Sequence, residues 1–287
     1  MSSVHLKNEH LSVEIAPLGA EMQSLVTSDR ENWLWNGDAA FWTGRAPVLF
    51  PMVGRAPEDH VQIEGQHYPM SQHGFARRSE FALLESGEDF CRFELRANET
   101  TRKVYPFDFS LALAYRLDGR GVQVTAEVHN LDERSMPFGI GFHPAFCWPL
   151  PGCTGEKHRV ILDNGGEPLL VQLAEGLVKR EKQPSPFAEG ELALHDDLFK
   201  ADALIFPEDA GTGLRYAADS RTVHFTWDNL PNLALWSKQG APFVCLEPWH
   251  GTAAMVGGSD RLDERPFVVV LAPGGQARYG FKAELIG

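Results

Sequence analysis

Apolar and polar residues alternate with a period of two in many short stretches of this chain, and this pattern limits the fold more than any other feature. Alternation of this kind places successive side chains on opposite faces of a β-strand. The sequence predicts strands at residues 10–15, 90–96, 109–117, 122–128, 203–206, 222–227, 233–236, 243–247, 267–271 and 277–283. The Asp-Gly-Arg-Gly run at residues 118–121 predicts a hairpin turn, because glycine adopts positive φ at little cost.

Helical periodicity is scarce, and 27 glycines and 19 prolines punctuate the chain. Many short strands separated by regular turns are typical of an all-β sandwich or barrel. We find no low-complexity linker, no charge-run boundary and no internal repeat. We therefore expect a single domain over residues 1–287, a length that chains of this class reach as one unit.

The formal net charge of −13 disfavours nucleic acids and anionic membranes, because both would be repelled by an acidic surface. No stretch approaches the roughly 20 apolar residues of a membrane helix, and residues 1–7 lack the apolar core of a secretory signal. The four cysteines show no CxxC spacing, which favours free thiols in a reducing compartment. We expect a cytoplasmic protein without nucleic-acid or membrane partners.

One histidine stands in an unusual apolar setting, the Met-Pro-Phe-Gly-Ile-Gly-Phe-His-Pro-Ala-Phe run at residues 136–146. Phenylalanines around His143 would exclude water and leave one titratable group facing whatever enters. A histidine has an ordinary pKa of about 6.5 and can give or take a proton near neutral pH. A satisfied core histidine is the alternative interpretation of the same run.

Two further clusters set polar side chains beside glycine and aromatic residues. Arg55 follows the apolar run at residues 47–54 and could offer donors to hydroxyls or a phosphate, or could form a surface ion pair. His73 lies in the Gln-His-Gly-Phe-Ala-Arg run at residues 72–77 and could hydrogen-bond a sugar hydroxyl, or be an ordinary loop histidine.

A carboxylate ends an apolar strand in the Val-Cys-Leu-Glu-Pro-Trp-His-Gly run at residues 244–251. Buried carboxylates are rare unless they are paired or used, because burial favours the neutral form. Glu247 is therefore a candidate functional residue, and Trp249 beside it is a natural surface for stacking a sugar. A strand-end glutamate in a salt bridge is the alternative.

Sequence motifs of several other classes are missing: HExxH, the P-loop, GxSxG and a GxGxxG loop after a strand. His60, His67 and His73 lie near one another, but their spacing matches no standard zinc ligand set. The sequence therefore assigns no metal site.

Taken in order, these clusters resemble the aldose 1-epimerase (galactose mutarotase-like) family over nearly the whole chain. The resemblance is carried by residues 13–20, 49–51, 72–77, 138–144, 246–249 and 271–275. It implies a large antiparallel β-sandwich with a sugar site in a groove on one sheet, and an isomerase that interconverts sugar anomers without metal or other cofactor.

The resemblance also implies a role for individual residues. His143 would be the general acid and Glu247 the general base. Arg55, His73 and Asp202, the last in the Lys-Ala-Asp run before a strand, match substrate-binding positions. Trp236 and Trp249 are candidate stacking residues. We expect Glu247 to be ionised and His143 protonated in the working enzyme, which predicts a bell-shaped pH profile.

Residues 56–59 read Ala-Pro-Glu-Asp, where the better-known galactose mutarotases have an Asn-Arg-Ile run after the first Gly-Arg. The His-Gly-Phe-Ala-Arg version resembles the branch that includes glucose-6-phosphate 1-epimerases and lactose-operon relatives. The substrate would be a small sugar or a sugar phosphate, and a phosphate clamp could come from Arg45, Arg55, Arg77 and Arg78.

A non-catalytic sugar-binding protein on the same fold is the alternative to an enzyme. A glycoside hydrolase that uses Asp202 with Glu247 is a more remote alternative. We expect a monomer or a homodimer.

Overall fold

The computed structural model describes residues 2–287 and consists mainly of β-strands joined by short turns. In chain order the strands are β1 (Val4–Lys7), β2 (Leu11–Ala16), β3 (Glu21–Thr27), β4 (Val48–Leu49), β5 (His60–Ile63), β6 (Gln66–Pro69), β7 (Ala82–Ser86), β8 (Phe90–Arg96), β9 (Phe109–Asp118), β10 (Gly121–Asn130), β11 (Met136–Phe138), β12 (Ile140–Phe142), β13 (Ala145–Cys147), β14 (Arg159–Leu162), β15 (Leu170–Ala174), β16 (Leu177–Gln183), β17 (Glu191–Ala193), β18 (Leu204–Phe206), β19 (Gly213–Ala217), β20 (Thr222–Asp228), β21 (Asn232–Trp236), β22 (Phe243–His250), β23 (Val269–Leu271) and β24 (Gln276–Ile286).

Helical structure is confined to short segments. They are α1 (Glu99–Arg102) and four 3-10 segments, Pro57–Asp59, Ala76–Arg78, Asp196–Phe199 and Leu262–Glu264. Within residues 2–287, none of these helices could span a membrane.

Two large antiparallel sheets form the body of the structure. The first, here called the back sheet, has nine strands in the order β17-β14-β19-β20-β24-β10-β9-β8-β7. The second, called the site sheet, has eight strands in the order β16-β15-β18-β21-β22-β12-β4, with β13 also paired to β22. Strands β1, β2 and β3 form a small separate sheet, and β5 and β6 form a hairpin.

Aromatic side chains pack between the two large sheets. The ring of Phe142 from β12 lies 5.1 Å from that of Phe281 on β24, and the ring of Phe146 lies 6.0 Å from that of Phe225 on β20. All four belong to one buried apolar core that both sheets share. The protein is therefore a large antiparallel β-sandwich, which confirms the predicted fold class.

Strand β22 is buried on both of its faces, and this position sets the environment of the site. Val244 and Leu246 point into the core between the sheets, whereas Phe243 and Cys245 join a second apolar cluster on the opposite face. Because side chains alternate along a strand, Glu247 lies on the same face as Cys245. A carboxylate is thus placed in an apolar interior.

The strands that the alternation predicts are all present, with ends that differ by a few residues. The hairpin at residues 118–121 is also confirmed, and Gly119 has a φ of 55° there. The predicted strand at residues 267–271 needs correction, because it begins only at Val269. Phe267 has a φ of 56°, which a β-strand cannot contain, and it forms a turn instead.

Candidate active site

A cavity of about 740 Å³ opens on the site sheet, within the size range typical of small-molecule sites. It brings together most of the side chains that the sequence singled out. Those that line it are His73, Arg77, His143, Asp202, Trp236, Glu247 and Trp249.

His143 and Glu247 come from neighbouring strands and meet in the wall of this cavity. His143 follows β12 directly, and its backbone N–H donates to the Pro47 carbonyl at 3.1 Å. Its Nε2 lies 3.1 Å from Oε2 of Glu247, but the orientation is not that of a hydrogen bond, so Oε2 has no hydrogen-bond partner. The two residues are only 7 % and 1 % exposed. The pair is therefore in contact, buried and incompletely satisfied.

Burial shifts the pKa of both groups toward their neutral forms. Loss of solvation lowers the pKa of His143 to about 3, and the nearby Arg77 adds to this shift. Loss of solvation also raises the pKa of Glu247 well above its ordinary value, and the charge of Asp202 acts in the same direction. Both shifts favour the uncharged forms, whereas the sequence analysis expects an ionised pair in the working enzyme.

His73 is held in one tautomer by the backbone. The N–H of Gly54 donates to Nδ1 of His73 at 3.1 Å, so Nδ1 must be unprotonated. Burial lowers the pKa of His73 well below its ordinary value, with the neighbouring His143 as a further cause. A neutral imidazole with an acceptor at Nδ1 carries its proton on Nε2, which makes Nε2 a hydrogen-bond donor.

The strand–turn geometry around His73 depends on glycine. His73 itself has a φ of 65° and Gly74 a φ of 69°. A Cβ on Gly74 would lie 2.2 Å from the carbonyl oxygen of Phe50, a distance at which the backbones would have to move apart. Gly74 therefore allows the His73 loop to lie against the chain that leaves β4.

Arg55 is the one predicted substrate-binding residue that the structure does not place in the cavity. Its guanidinium forms two hydrogen bonds with the carboxylate of Asp59, at 2.9 and 3.0 Å, in a partly exposed ion pair. This ion pair raises the pKa of Arg55. The alternative interpretation of Arg55, a surface ion pair, describes its observed environment, and we leave Arg55 out of the candidate site.

Comparison with known protein families identifies the family of this chain. The sequence profile described as aldose 1-epimerase matches residues 2–278. The chain belongs to the aldose 1-epimerase family.

Individual relatives agree with this assignment. The chromosomal LacX protein of Lactococcus lactis subsp. lactis is 31% identical over 287 residues, covering 94% of this chain and 95% of LacX. A galactose mutarotase related enzyme from Lactobacillus acidophilus is 29% identical with a TM-score of 0.94, covering 100% of this chain and 98% of that one. A galactose mutarotase-like protein from Lactobacillus casei is 29% identical with a TM-score of 0.91, covering 99% and 100%.

Trp42 also lines the cavity, and the sequence analysis missed it. Its ring lies 4.8 Å from the imidazole of His143 at an interplanar angle of 31°, and 5.5 Å from the ring of Trp236. It lies between β3 and β4, in a segment without alternation, where a tryptophan gives no sequence signal of function. The Trp42 ring therefore covers one side of the His143 imidazole.

The sequence analysis also missed Arg265. This arginine is buried, and among residues 2–287 it forms no ion pair with a carboxylate. Its Nη2 donates to the carbonyls of Val53, Thr252 and Arg55, at 2.9, 2.8 and 3.2 Å. Burial lowers its pKa to about 10. Arg265 thereby fixes the segment that contains Gly54, whose N–H orients His73.

Proposed function

We propose that this protein is a mutarotase that interconverts the α and β anomers of a hexose or a related aldose by acid–base ring opening. The observation that carries the proposal is the 3.1 Å separation of His143 Nε2 and Glu247 Oε2 in the wall of one cavity. In an aldopyranose the anomeric hydroxyl and the ring oxygen are bonded to the same carbon. An acid and a base that lie side by side can therefore reach both oxygens of one sugar.

In this mechanism Glu247 removes the proton of the anomeric hydroxyl while His143 protonates the ring oxygen. The bond between C1 and the ring oxygen breaks, the C1–C2 bond rotates, and closure returns either anomer with the two roles exchanged. The pair gains one proton and loses one in each half of the cycle. A positioned acid or base typically contributes about 10²–10⁴-fold to the rate.

The uncharged forms that burial favours are compatible with this cycle. When Glu247 holds the proton and His143 is neutral, the pair still contains one acid and one base. Because opening and closure exchange the two roles, either arrangement supports a full turnover. A sugar hydroxyl would also donate to Glu247 Oε2, which has no hydrogen-bond partner within the protein.

The other cavity residues suit a sugar. Nε2 of His73 can donate to a hydroxyl, and the carboxylate of Asp202 can accept from one. Trp42, Trp236 and Trp249 provide the flat apolar faces on which the C–H groups of a pyranose stack.

Polarimetry tests the proposal most simply. Freshly dissolved α-D-glucose, α-D-galactose and α-D-glucose 6-phosphate are followed as they relax to their anomeric equilibrium, with and without the protein. We expect at least one of them to relax faster with protein than in buffer. If none relaxes faster while the protein binds a sugar, the non-catalytic sugar-binding alternative replaces this proposal.

A sugar phosphate is a second candidate substrate, favoured by the cationic side chains of the cavity. Arg45, Arg77 and Arg78 all line it. Within residues 2–287 their guanidinium groups make hydrogen bonds only to Gln23, Gln72 and Ser71, and none forms an ion pair. A putative glucose-6-phosphate 1-epimerase from Salmonella typhimurium (strain LT2) is 31% identical over 121 residues, 39% of this chain and 38% of that protein.

Replacing one of these arginines separates the two substrate classes. If a phosphate group binds there, Arg77→Gln should raise the KM for glucose 6-phosphate at least about tenfold, because a charge-assisted contact is lost. The KM for a neutral hexose should change much less. Arg55→Gln is the matched control, since Arg55 already pairs with Asp59 outside the cavity, and it should leave both KM values unchanged. Equal changes for both substrates would remove the phosphate candidate.

The single domain, the cytoplasmic location, the monomer or homodimer and the absence of a cofactor stay predictions from the sequence.

A further inference from the structure

Three side chains with metal-binding atoms meet beside the cavity, although the sequence analysis grouped none of them as ligands. One ligand atom from each of His143, Cys245 and Glu247 lies within 4.8 Å of the other two. Cys245 and Glu247 are next-but-one neighbours on β22 and so share a face of the strand. All three residues are buried, and Cys245 has no role in the mechanism proposed above.

The spacing of these atoms suits a tetrahedral cation. Ligand distances of zinc are about 2.0–2.1 Å to nitrogen, about 2.0–2.2 Å to oxygen and about 2.3 Å to sulfur, which separate neighbouring ligand atoms by about 3.3–3.6 Å. His143 Nε2 and Glu247 Oε2 are 3.1 Å apart, and no pair of ligand atoms exceeds 4.8 Å. Small side-chain rotations would close this set around one ion. Two of the three ligands line the cavity, so the fourth position would face it.

An unsatisfied buried atom points to the same place. Oε2 of Glu247 has no hydrogen-bond partner and lies against Nε2 of His143, in a residue that is 1 % exposed. A divalent cation would give this oxygen a partner. One thiolate and one carboxylate would also balance the two positive charges, so the buried site would be neutral overall.

We propose that His143, Cys245 and Glu247 form a binding site for a thiophilic divalent cation such as Zn²⁺, and that the bound cation stops the sugar reaction. On binding, Cys245 coordinates as a thiolate and Glu247 as a carboxylate, and the protons that these groups release pass to solvent. The cation then occupies the lone pairs of both the acid and the base. The inhibition rests on the proposed function, whereas the binding of the cation does not.

Cobalt(II) reports on the binding directly. Titration of the wild-type protein with Co²⁺ should produce the near-ultraviolet charge-transfer band of a thiolate–cobalt bond and the visible bands of a tetrahedral site. Excess Zn²⁺ should remove these bands by displacement. Cys245→Ser should lose the near-ultraviolet band. Cys153→Ser is the matched control, because Cys153 is another buried free thiol, already 3.3 Å from a serine hydroxyl, and it should keep the band.

Inhibition is measured in parallel on the same proteins. Zn²⁺ should slow anomer interconversion by the wild-type and by Cys153→Ser, chelation should restore the rate, and Mg²⁺ should have no effect. Cys245→Ser should need at least about tenfold more Zn²⁺, since even indirect metal-site changes cost about 10–100-fold in affinity. If Cys245→Ser does not fold, Cys245→Ala serves in its place.

Three outcomes would overturn the proposal: no thiolate–cobalt band in the wild-type, a band that survives loss of Cys245, or Zn²⁺ inhibition that is equal with and without Cys245. A cobalt band in a protein that accelerates no sugar would leave the cation site standing and contradict the proposed function, so the two failures are distinguishable.

Discussion

Glu247 occupies a buried position that opposes the stability of the fold. Burial removes the solvation of this carboxyl group, which raises its pKa and favours its neutral form. The neighbouring Cys245 thiol has its pKa raised by the same burial and by Glu247. A site that serves stability alone would carry an apolar side chain here, which supports the catalytic role proposed for Glu247.

This leads to a prediction about stability and pH. Between its ordinary pKa of 4.5 and the higher pKa of the folded state, Glu247 is ionised in the unfolded chain but protonated in the folded one. The wild-type therefore loses up to about 1.4 kcal/mol of unfolding free energy per pH unit as the pH rises through this range. Glu247→Gln cannot ionise, so it should be more stable than the wild-type by a margin that grows with pH.

Urea unfolding at a series of pH values from about 5 to about 8 measures this margin. Glu284→Gln, at an exposed position of β24, is the control and should change the free energy of unfolding by less than about 0.5 kcal/mol at every pH. A margin for Glu247→Gln that does not vary with pH would contradict the raised pKa of this group.

At the scale of single elements, the loop that carries His73 shows what a glycine contributes. Gly74 and Gly274 have nearly the same φ, 69° and 71°. A Cβ on Gly74 would meet the Phe50 carbonyl at 2.2 Å, whereas a Cβ on Gly274 would meet nothing within 4 Å. Comparison of the two positions separates backbone strain from steric conflict.

Gly274→Ala should therefore destabilise the fold by about 1–2 kcal/mol, the cost of a left-handed conformation. Gly74→Ala adds an overlap between backbones and should cost about 2–5 kcal/mol in total, with a lower rate of anomer interconversion because His73 moves. Thermal unfolding and polarimetry of both variants check this. Similar losses of stability in the two variants would mean that the Gly74 loop can move away from Phe50.

The long alternating strands could be predicted from the sequence, and the short buried ones could not. Strand β8 has the predicted boundaries, because one of its faces meets the core and the other is partly exposed. Strands β4 and β12 have two and three residues, all buried, so no alternation marks them. These two short strands pair with each other, and His143 directly follows β12. Only the resemblance to a family indicated their importance.

The same limit applied to individual site residues. His143, Glu247 and His73 were recognisable because their motifs set a polar side chain among glycine and aromatic residues. Arg55 has a similar local sequence, but its guanidinium turns to Asp59, four residues further along the chain. Trp42 and Arg265 act through contacts distant in sequence, which no local pattern records.

At the scale of the whole molecule, the two large sheets depend on each other through their aromatic core. Phe225 of the back sheet is fully buried and packs against Phe281, 5.0 Å away, and Phe146, 6.0 Å away. Alternation predicts which face of a strand is buried but gives no strand order. The pairing that brings the segments of His143 and Glu247 together therefore could not come from periodicity alone.

We predict that Phe225→Ala lowers the free energy of unfolding by about 3–5 kcal/mol, because it leaves a cavity between the sheets. Phe225 does not line the sugar cavity, so the variant should keep most of its turnover at temperatures where it remains folded. Urea unfolding and polarimetry of the variant measure both quantities. A loss of less than about 1 kcal/mol would show that the packing of the two sheets is not limiting for stability.

The central claim is that His143 and Glu247 act as one proton-transfer unit, and the turnover of three variants tests it most directly. His143→Asn and Glu247→Gln should each lower kcat by about 10²–10⁴-fold while the fold is kept. The double variant should be about as slow as the slower single variant, because groups that act together are not additive. If either folded single variant keeps most of the wild-type turnover, or the double variant loses the product of both factors, the claim is contradicted.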